Sequence, residues 1–253
     1  MSTYKIFFKD FIKTVTPKSV IRFCYSVATF FYHKYYMLRY GPVIIRQGTS
    51  DSEVFKDIFV RRNYRLPVHT RPKLIIDGGA YVGYSSLYFS LKYPEAKIIA
   101  VEPEDSNFEL LEKNTRNLSN VCRIKAGLWC NDAPLQVRNV GAGHWGFRTE
   151  EVQGAGNSDV RGITISSLLE GSGFDRIDIL KLDIEGAEKM IFAGDCETWL
   201  RNVNIIAVEI HDGCKPQIEA ALRKGNWKEF MVNEIFVFVN LDAMSVERQA
   251  RDS

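Results

Sequence analysis

Lys73-Leu74-Ile75-Ile76-Asp77-Gly78-Gly79-Ala80-Tyr81-Val82-Gly83-Tyr84-Ser85 is the stretch on which the fold turns. Leu74 to Ile76 is an apolar run of strand length that ends in an acid and two glycines. Gly83 follows, and an amphipathic helical pattern starts beside it. Glycines at a strand-to-helix turn let the backbone bend sharply and let a ligand approach closely. The next strand, Lys97-Ile98-Ile99-Ala100-Val101-Glu102-Pro103, also ends in an acid. An acid about 20 residues beyond a glycine loop can accept hydrogen bonds from ribose hydroxyls. Strand, glycine turn, helix, strand and acid together describe a site for a nucleoside-type cofactor. A glycine turn in a ligand-free sheet domain is the plainer reading.

The chain has 253 residues, 45% of them hydrophobic and 25% charged, enough for one sizeable core with an appendage. A net charge of +2 implies no bulk attraction to nucleic acid. Cys24, Cys122, Cys130, Cys196 and Cys214 are odd in number and form no Cys-x-x-Cys pair. A disulfide framework and a structural zinc site are therefore disfavoured, and reduced cytoplasmic thiols are expected.

Residues 1–42 form a candidate helical extension, rich in aromatic and basic residues, with Pro17 at its start and Tyr40-Gly41-Pro42 at its end. The uncharged run from Phe23 to Tyr32 is too short to span a bilayer. The extension reads as an interfacial helix at the inner face of a membrane, as a cap on the domain, or as a homodimer contact. The sheet domain is expected over residues 43–241, and residues 242–253 form a polar tail.

Val43 to Arg46 reads as a short strand, and Ser50-Asp51-Ser52-Glu53 as a capping box ahead of an apolar face of Val54, Phe55, Ile58 and Phe59. Arg61, Arg62 and Arg65 follow, either a clamp for phosphate or carboxylate or a solvated face. Val121 to Leu128 reads as one strand, in which Gly127 would let the backbone pass an adenine ring. Leu135 to Val140 is a strand outside the simple alternation, and Gly141 to Asn157 a glycine-rich loop. That loop holds His144-Trp145-Gly146-Phe147-Arg148, a candidate substrate lid or an ordinary surface loop.

Ile177 to Ile184 reads as a strand running into Asp183, Glu185 and Glu188. Carboxylates at the carboxyl end of a strand in an open α/β sheet sit where ligands bind, and they favour a positive centre such as a sulfonium, an amine or a metal. Helix-dipole capping by Glu185 and Glu188 is the structural alternative. Val203 to Ile210 is a further strand, which places Glu209 and His211 at the same rim; His211 is a candidate general base. A hairpin-like pair around Asn233-Glu234 closes the domain.

Ile76-Asp77-Gly78-Gly79-Ala80-Tyr81-Val82-Gly83-Tyr84-Ser85, Val101-Glu102-Pro103, Lys181-Leu182-Asp183-Ile184-Glu185-Gly186-Ala187-Glu188 and Val208-Glu209-Ile210-His211 carry a family likeness. The chain resembles FkbM-type S-adenosylmethionine-dependent methyltransferases over about Gly48 to Val239. Gly78 departs from the pattern, since relatives often have an apolar residue there. The resemblance implies an α/β fold: a seven-stranded, mostly parallel, Rossmann-like class I methyltransferase sheet with a reversed last strand. It implies O-methylation of a sugar, glycan or natural-product hydroxyl. It also implies that Asp77, Gly79 and Gly83 line the methionine end of the cofactor, with Tyr81, Tyr84 and Ser85 in the same turn, and that Glu102 holds the ribose. Asp183 would face the sulfonium and the acceptor. For the chemistry, Asp183, His211 and Glu185 are the catalytic candidates, and a divalent metal held by Asp183, Glu209 and His211 is a second option. A nicotinamide-dependent oxidoreductase is the alternative enzyme, disfavoured because the glycines do not space as Gly-x-Gly-x-x-Gly. A non-catalytic membrane-surface scaffold is the third reading.

Overall fold

In the computed structural model, residues 27–28, 30–31, 33–35, 43–139, 146–152, 158–211 and 213–243 are described. The strands of the central sheet are β1 (Leu74–Gly78), β2 (Lys97–Glu102), β3 (Val121–Lys125), β8 (Ile177–Leu182), β9 (Val203–Glu209), β10 (Trp227–Val232) and β11 (Ile235–Asn240). Their spatial order is β10-β11-β9-β8-β1-β2-β3. Pairing is parallel from β3 through to β9, and β11 runs against both β9 and β10. The expected mostly parallel seven-stranded sheet with a reversed last strand is therefore present.

Both faces of the sheet are covered at its centre, which is why β1, β2, β8 and β9 are largely apolar on both sides. Leu74, Ile76, Ile99, Val101, Leu180, Leu182, Ile206 and Val208 pack toward α4 (Ile165–Ser172), α5 (Glu188–Ala193), α6 (Glu197–Leu200) and α7 (Lys215–Leu222). Ile75, Ile98, Ala100, Ile179, Ile205 and Val237 pack on the other side, toward α1 (Asp51–Lys56), α2 (Tyr84–Lys92) and α3 (Asp105–Thr115). Burying a side chain of the Leu or Ile kind stabilises by about 1.5–3 kcal/mol, so this two-sided core fixes the sheet firmly. Buried Asp178 ties β8 to β1 and β9 by accepting from the backbone N–H groups of Lys73 and Leu74 and from Asn204.

Four local expectations are corrected. Val43 to Arg46 is an irregular segment, held by the Asn114 side chain and by a hydrogen bond from Tyr84 to the Ile44 carbonyl. Ser50 is helical and caps nothing; its hydroxyl meets Tyr81 Oη, and Glu53 pairs with Lys56. The strand expected from Val121 to Leu128 breaks at Ala126: β3 stays in the central sheet, while β4 (Gly127–Leu128) joins a second one. That second sheet, in the order β4-β7-β5-β6, adds β5 (Pro134–Asn139), β6 (Phe147–Glu151) and β7 (Val160–Ile163), so the expected loop from Gly141 to Asn157 contains a strand. His144 and Trp145 lie outside the described residues, as do most of the N-terminal extension and residues 244–253. The described parts of the extension are helical, and His33 touches the domain through the Val43 carbonyl and the Phe55 ring.

Candidate active site

The sheet changes direction of winding at β1, which has β2 on one side and β8 on the other. Ligands of open α/β sheets bind in the crevice at such a point. A cavity of about 250 Å³ opens there. Gly79, Tyr81, Tyr84, Ser85, Glu102, Gly127, Asp183 and Glu185 from the expected set line it, together with Glu209. Leu128, Phe147 and Thr149 of the second sheet form one wall, so the insertion completes the site rather than hanging off it.

Gly79 is where only glycine fits. Its φ is +70°, and a Cβ there would lie 1.8 Å from the Asp183 carbonyl oxygen. The turn after β1 thereby nests against the turn after β8, with Asp183 N–H donating to the Gly78 carbonyl at 3.2 Å. Gly83, at φ +89°, serves packing instead: a Cβ would meet Leu111 and Thr115 of α3.

Asp77 and Gly83 do not reach the cavity wall. Asp77 is wholly buried and accepts from Ser85 Oγ at 2.7 Å and Ser86 Oγ at 2.6 Å. Its other oxygen is 3.2 Å from Lys181 Nζ. The two residues are register partners on β1 and β8, so a charge pair is built into the centre of the sheet. Lys181 Nζ also donates to the Gly78 and Gly79 carbonyls, which holds the glycine turn in place. Burial works against the Lys181 ammonium, but Asp77 and Asp183 outweigh it and hold its pKa above that of an ordinary lysine. Asp77 thus organises the turn from behind. The sequence singled out Asp77 and included Lys181 in the family-like run without giving it a role, because nothing local marks a lysine in a strand as a partner of an acid over 100 residues away.

At the β2 end, Glu102 accepts from Tyr81 N–H at 2.9 Å and Glu104 N–H at 3.1 Å. Burial pushes its carboxyl up to about 7, against these hydrogen bonds. Tyr81 holds φ +52° and donates its hydroxyl to Asp51 at 2.5 Å, while Arg46 forks onto Asp51 and reaches Tyr81 and Asn107. This network joins the segment before the domain core to the glycine turn, and no sequence spacing announces it.

At the other end, four carboxylates surround His211. Its Nε2 lies 3.9 Å from Asp183, 3.9 Å from Glu185 and 3.8 Å from Glu209. Its Nδ1 lies 3.1 Å from Glu188 Oε1. Glu188 is fully buried and accepts from the N–H groups of Ile184 and Gly186, so it holds both the turn after β8 and the imidazole. Glu185 has a left-handed backbone at φ +55°, uncommon for a side chain of its size. Burial lowers the His211 pKa, but the Glu188 hydrogen bond and the charges of Glu188, Asp183 and Glu185 prevail and raise it to about 9. With no cation beside it, this environment favours the imidazolium over the free base expected from the sequence. Burial, and then the Asp183 charge, push Glu209 up to about 7. Tyr64 completes this end, its hydroxyl 3.4 Å from Asp183.

With the fold and site in view, comparison with known proteins defines the class. The methyltransferase FkbM domain matches residues 77–238. The chain is 31% identical over 205 residues to the methyltransferase sdnD of Sordaria araneosa, covering 67% of this chain and 79% of that protein. It is 25% identical over 221 residues to the 31-O-demethyl-FK506 methyltransferase FkbM of Streptomyces tacrolimicus, covering 72% and 84%. It is 27% identical over 142 residues to the hexuronic acid methyltransferase AglP of Haloferax volcanii, covering 56% and 57%. The chain belongs to the FkbM methyltransferase family and is a methyltransferase.

Proposed function

We propose that this protein transfers a methyl group from S-adenosylmethionine to a hydroxyl of a sugar, glycan or natural-product acceptor. One observation carries the reading: the charge of the cavity. Asp57, Glu102, Asp183, Glu185, Glu209 and Glu234 line it, and the single cation among the described lining residues, Lys181, is committed to Asp77 and two carbonyls. An acid-rich, partly dry crevice favours a ligand with net positive charge, such as a sulfonium bearing an ammonium. Glu102 would take the ribose hydroxyls, and Gly127, Leu128 and Phe147 would flank the base. An oxygen acceptor is supported by the relative named as a 31-O-demethyl-FK506 methyltransferase, and a sugar-type acceptor by the relative named as a hexuronic acid methyltransferase.

Transfer is an in-line displacement: the acceptor oxygen bonds to the methyl carbon as the carbon–sulfur bond breaks, and the thioether product leaves neutral. Positioning does most of the work. The hydroxyl proton passes to a carboxylate, and Asp183 and Glu209 are the candidates, with Glu209 titrating near neutrality as a base should. Without a metal, His211 as an imidazolium would neutralise these acids and fix their orientation.

A divalent cation fits the same donor set. One ligand atom each from Asp183, Glu209 and His211 lies within 4.8 Å of the other two; a cation would take the place of the Nε2 proton of His211, and Glu188 on Nδ1 would orient the neutral imidazole toward it. When bound, such an ion would lower the pKa of the acceptor hydroxyl. Isotope-labelled S-adenosylmethionine offered with uronic acids and hydroxylated macrolides tests the reading, with and without chelator. Label should appear in a base-stable ether. Binding of NAD in preference to S-adenosylhomocysteine would overturn the reading; activity that survives chelation would leave the carboxylates alone as the proton acceptors.

A further inference from the structure

A second cavity, of about 630 Å³, lies on the other side of the segment that walls the first. Between Asp57 and Thr70 the chain turns Asp57, Ile58, Asn63 and Tyr64 toward the acidic crevice, and Arg62, Arg65 and His69 toward this second space. Lys92, Tyr88 and Tyr93 from the end of α2 face them. No carboxylate lines the cavity among the described residues. The contrast with the first cavity, lined by six acids, is complete.

The backbone that carries the basic wall is held in place, with the Arg62, Arg65 and His69 side chains exposed. The helix α1 widens into a π turn, Asp57–Arg61, and stops at Arg62 with φ 61°. Asn63 N–H donates to the Asp57 carbonyl, and Arg65 N–H to the Arg62 carbonyl. Asn233, in the hairpin between β10 and β11, clamps the same turn by donating to the Arg61 carbonyl and to Asn63 Oδ1. Across the gap, Lys92 Nζ donates to Tyr88 Oη at 3.3 Å and lies 5.4 Å and 5.1 Å from the Tyr88 and Tyr93 ring centroids. Those rings desolvate an ammonium whose side chain is otherwise open to solvent. Its pKa is lowered by that desolvation first, and then by the Arg65 and Arg62 charges. Arg65 and Lys92 thus share a concave surface whose described lining holds no carboxylate.

We propose that this cavity binds a phosphate or diphosphate group. A guanidinium fork from Arg65 matches phosphate oxygens in pairs, Lys92 supplies a point charge, and the tyrosine faces can pack on whatever carries the group. A single carboxylate would answer only part of this charge. The phosphate can belong to a soluble molecule or to a phospholipid headgroup.

Calorimetry of the full chain with inorganic pyrophosphate, at low salt, is the test. Arg65→Gln and Lys92→Gln should each weaken binding by about 10- to 100-fold, the value of one charge-assisted hydrogen bond. Affinity for S-adenosylhomocysteine should not change, which also shows that the variants fold. Pyrophosphate should raise the melting temperature of the native protein and not that of the double variant. Flotation with phosphatidylglycerol and phosphatidylcholine vesicles identifies the source. Vesicle binding lost in the double variant assigns a lipid headgroup, and pyrophosphate binding without vesicle binding assigns a soluble ligand. A native protein that ignores pyrophosphate, or a double variant that binds it equally well, overturns the proposal.

Discussion

Replacing Glu102 by glutamine should make the protein more stable and a worse cofactor binder. Glu102 is buried, and its carboxyl is pushed up to about 7 from an ordinary 4.5. The folded chain therefore holds a proton that the unfolded chain releases between those values, and stability falls as pH rises through that window. The full penalty, present above pH 7, is up to about 3 kcal/mol. Glutamine removes it but turns an amide N–H₂ toward either Tyr81 N–H or Glu104 N–H, which costs about 1 kcal/mol. Urea unfolding near pH 8 should show Glu102→Gln about 2 kcal/mol more stable than the native protein, and the gain should disappear near pH 4.5. Cofactor binding goes the other way. Ribose hydroxyls donating to an ionised Glu102 would stabilise the charge, so affinity for S-adenosylhomocysteine should decline as pH drops below about 7 in the native protein. In Glu102→Gln that pH dependence should vanish and affinity should fall about 10- to 100-fold. A folded Glu102→Gln protein with native affinity, or one no more stable at alkaline pH, would refute the reasoning.

Asp183→Asn should cut turnover by about 100- to 10,000-fold while sparing S-adenosylhomocysteine affinity; equal losses in both would make Asp183 a cofactor ligand instead. Glu188→Gln should bring the His211 pKa down from about 9 toward its ordinary 6.5, read by NMR titration of the imidazole, and an unmoved titration would remove Glu188 as its positioner. Gly79→Ala forces a left-handed alanine against the Asp183 carbonyl and should destabilise by roughly 2–5 kcal/mol in urea unfolding; a loss below 1 kcal/mol would mean the two turns separate freely. A chain begun near Gly41 should stay folded and bind cofactor, since Phe30, Phe31 and Tyr35 are 62%, 64% and 54% exposed; aggregation would assign the extension to the core.

The parts legible in the sequence are those whose cause is local. A short apolar run, an acid and glycines at fixed spacing specify a strand-to-turn junction, because backbone sterics act over a few residues. Glu102, Asp183 and Glu209 were legible for the same reason: each follows a strand pattern, and strand ends in such a sheet share one rim. What a residue does at that rim depends on neighbours far along the chain. Asp77 reads as a ligand until β1 and β8 bring Lys181 to its side. His211 reads as a base until four acids, from the turn after β8, the end of β9 and a buried helix start, close around it. Phe147 to Glu151 read as loop, because a strand that is only half-buried, against partners from elsewhere, carries little periodicity of its own. Arg62 and Arg65 read as either an anion clamp or a solvated face, and only the fold shows that α2 sets Lys92 and two tyrosines opposite them. Charge and proton affinity are set by desolvation and by distances between groups, and those quantities come into being only when the sheet brings its strand ends together.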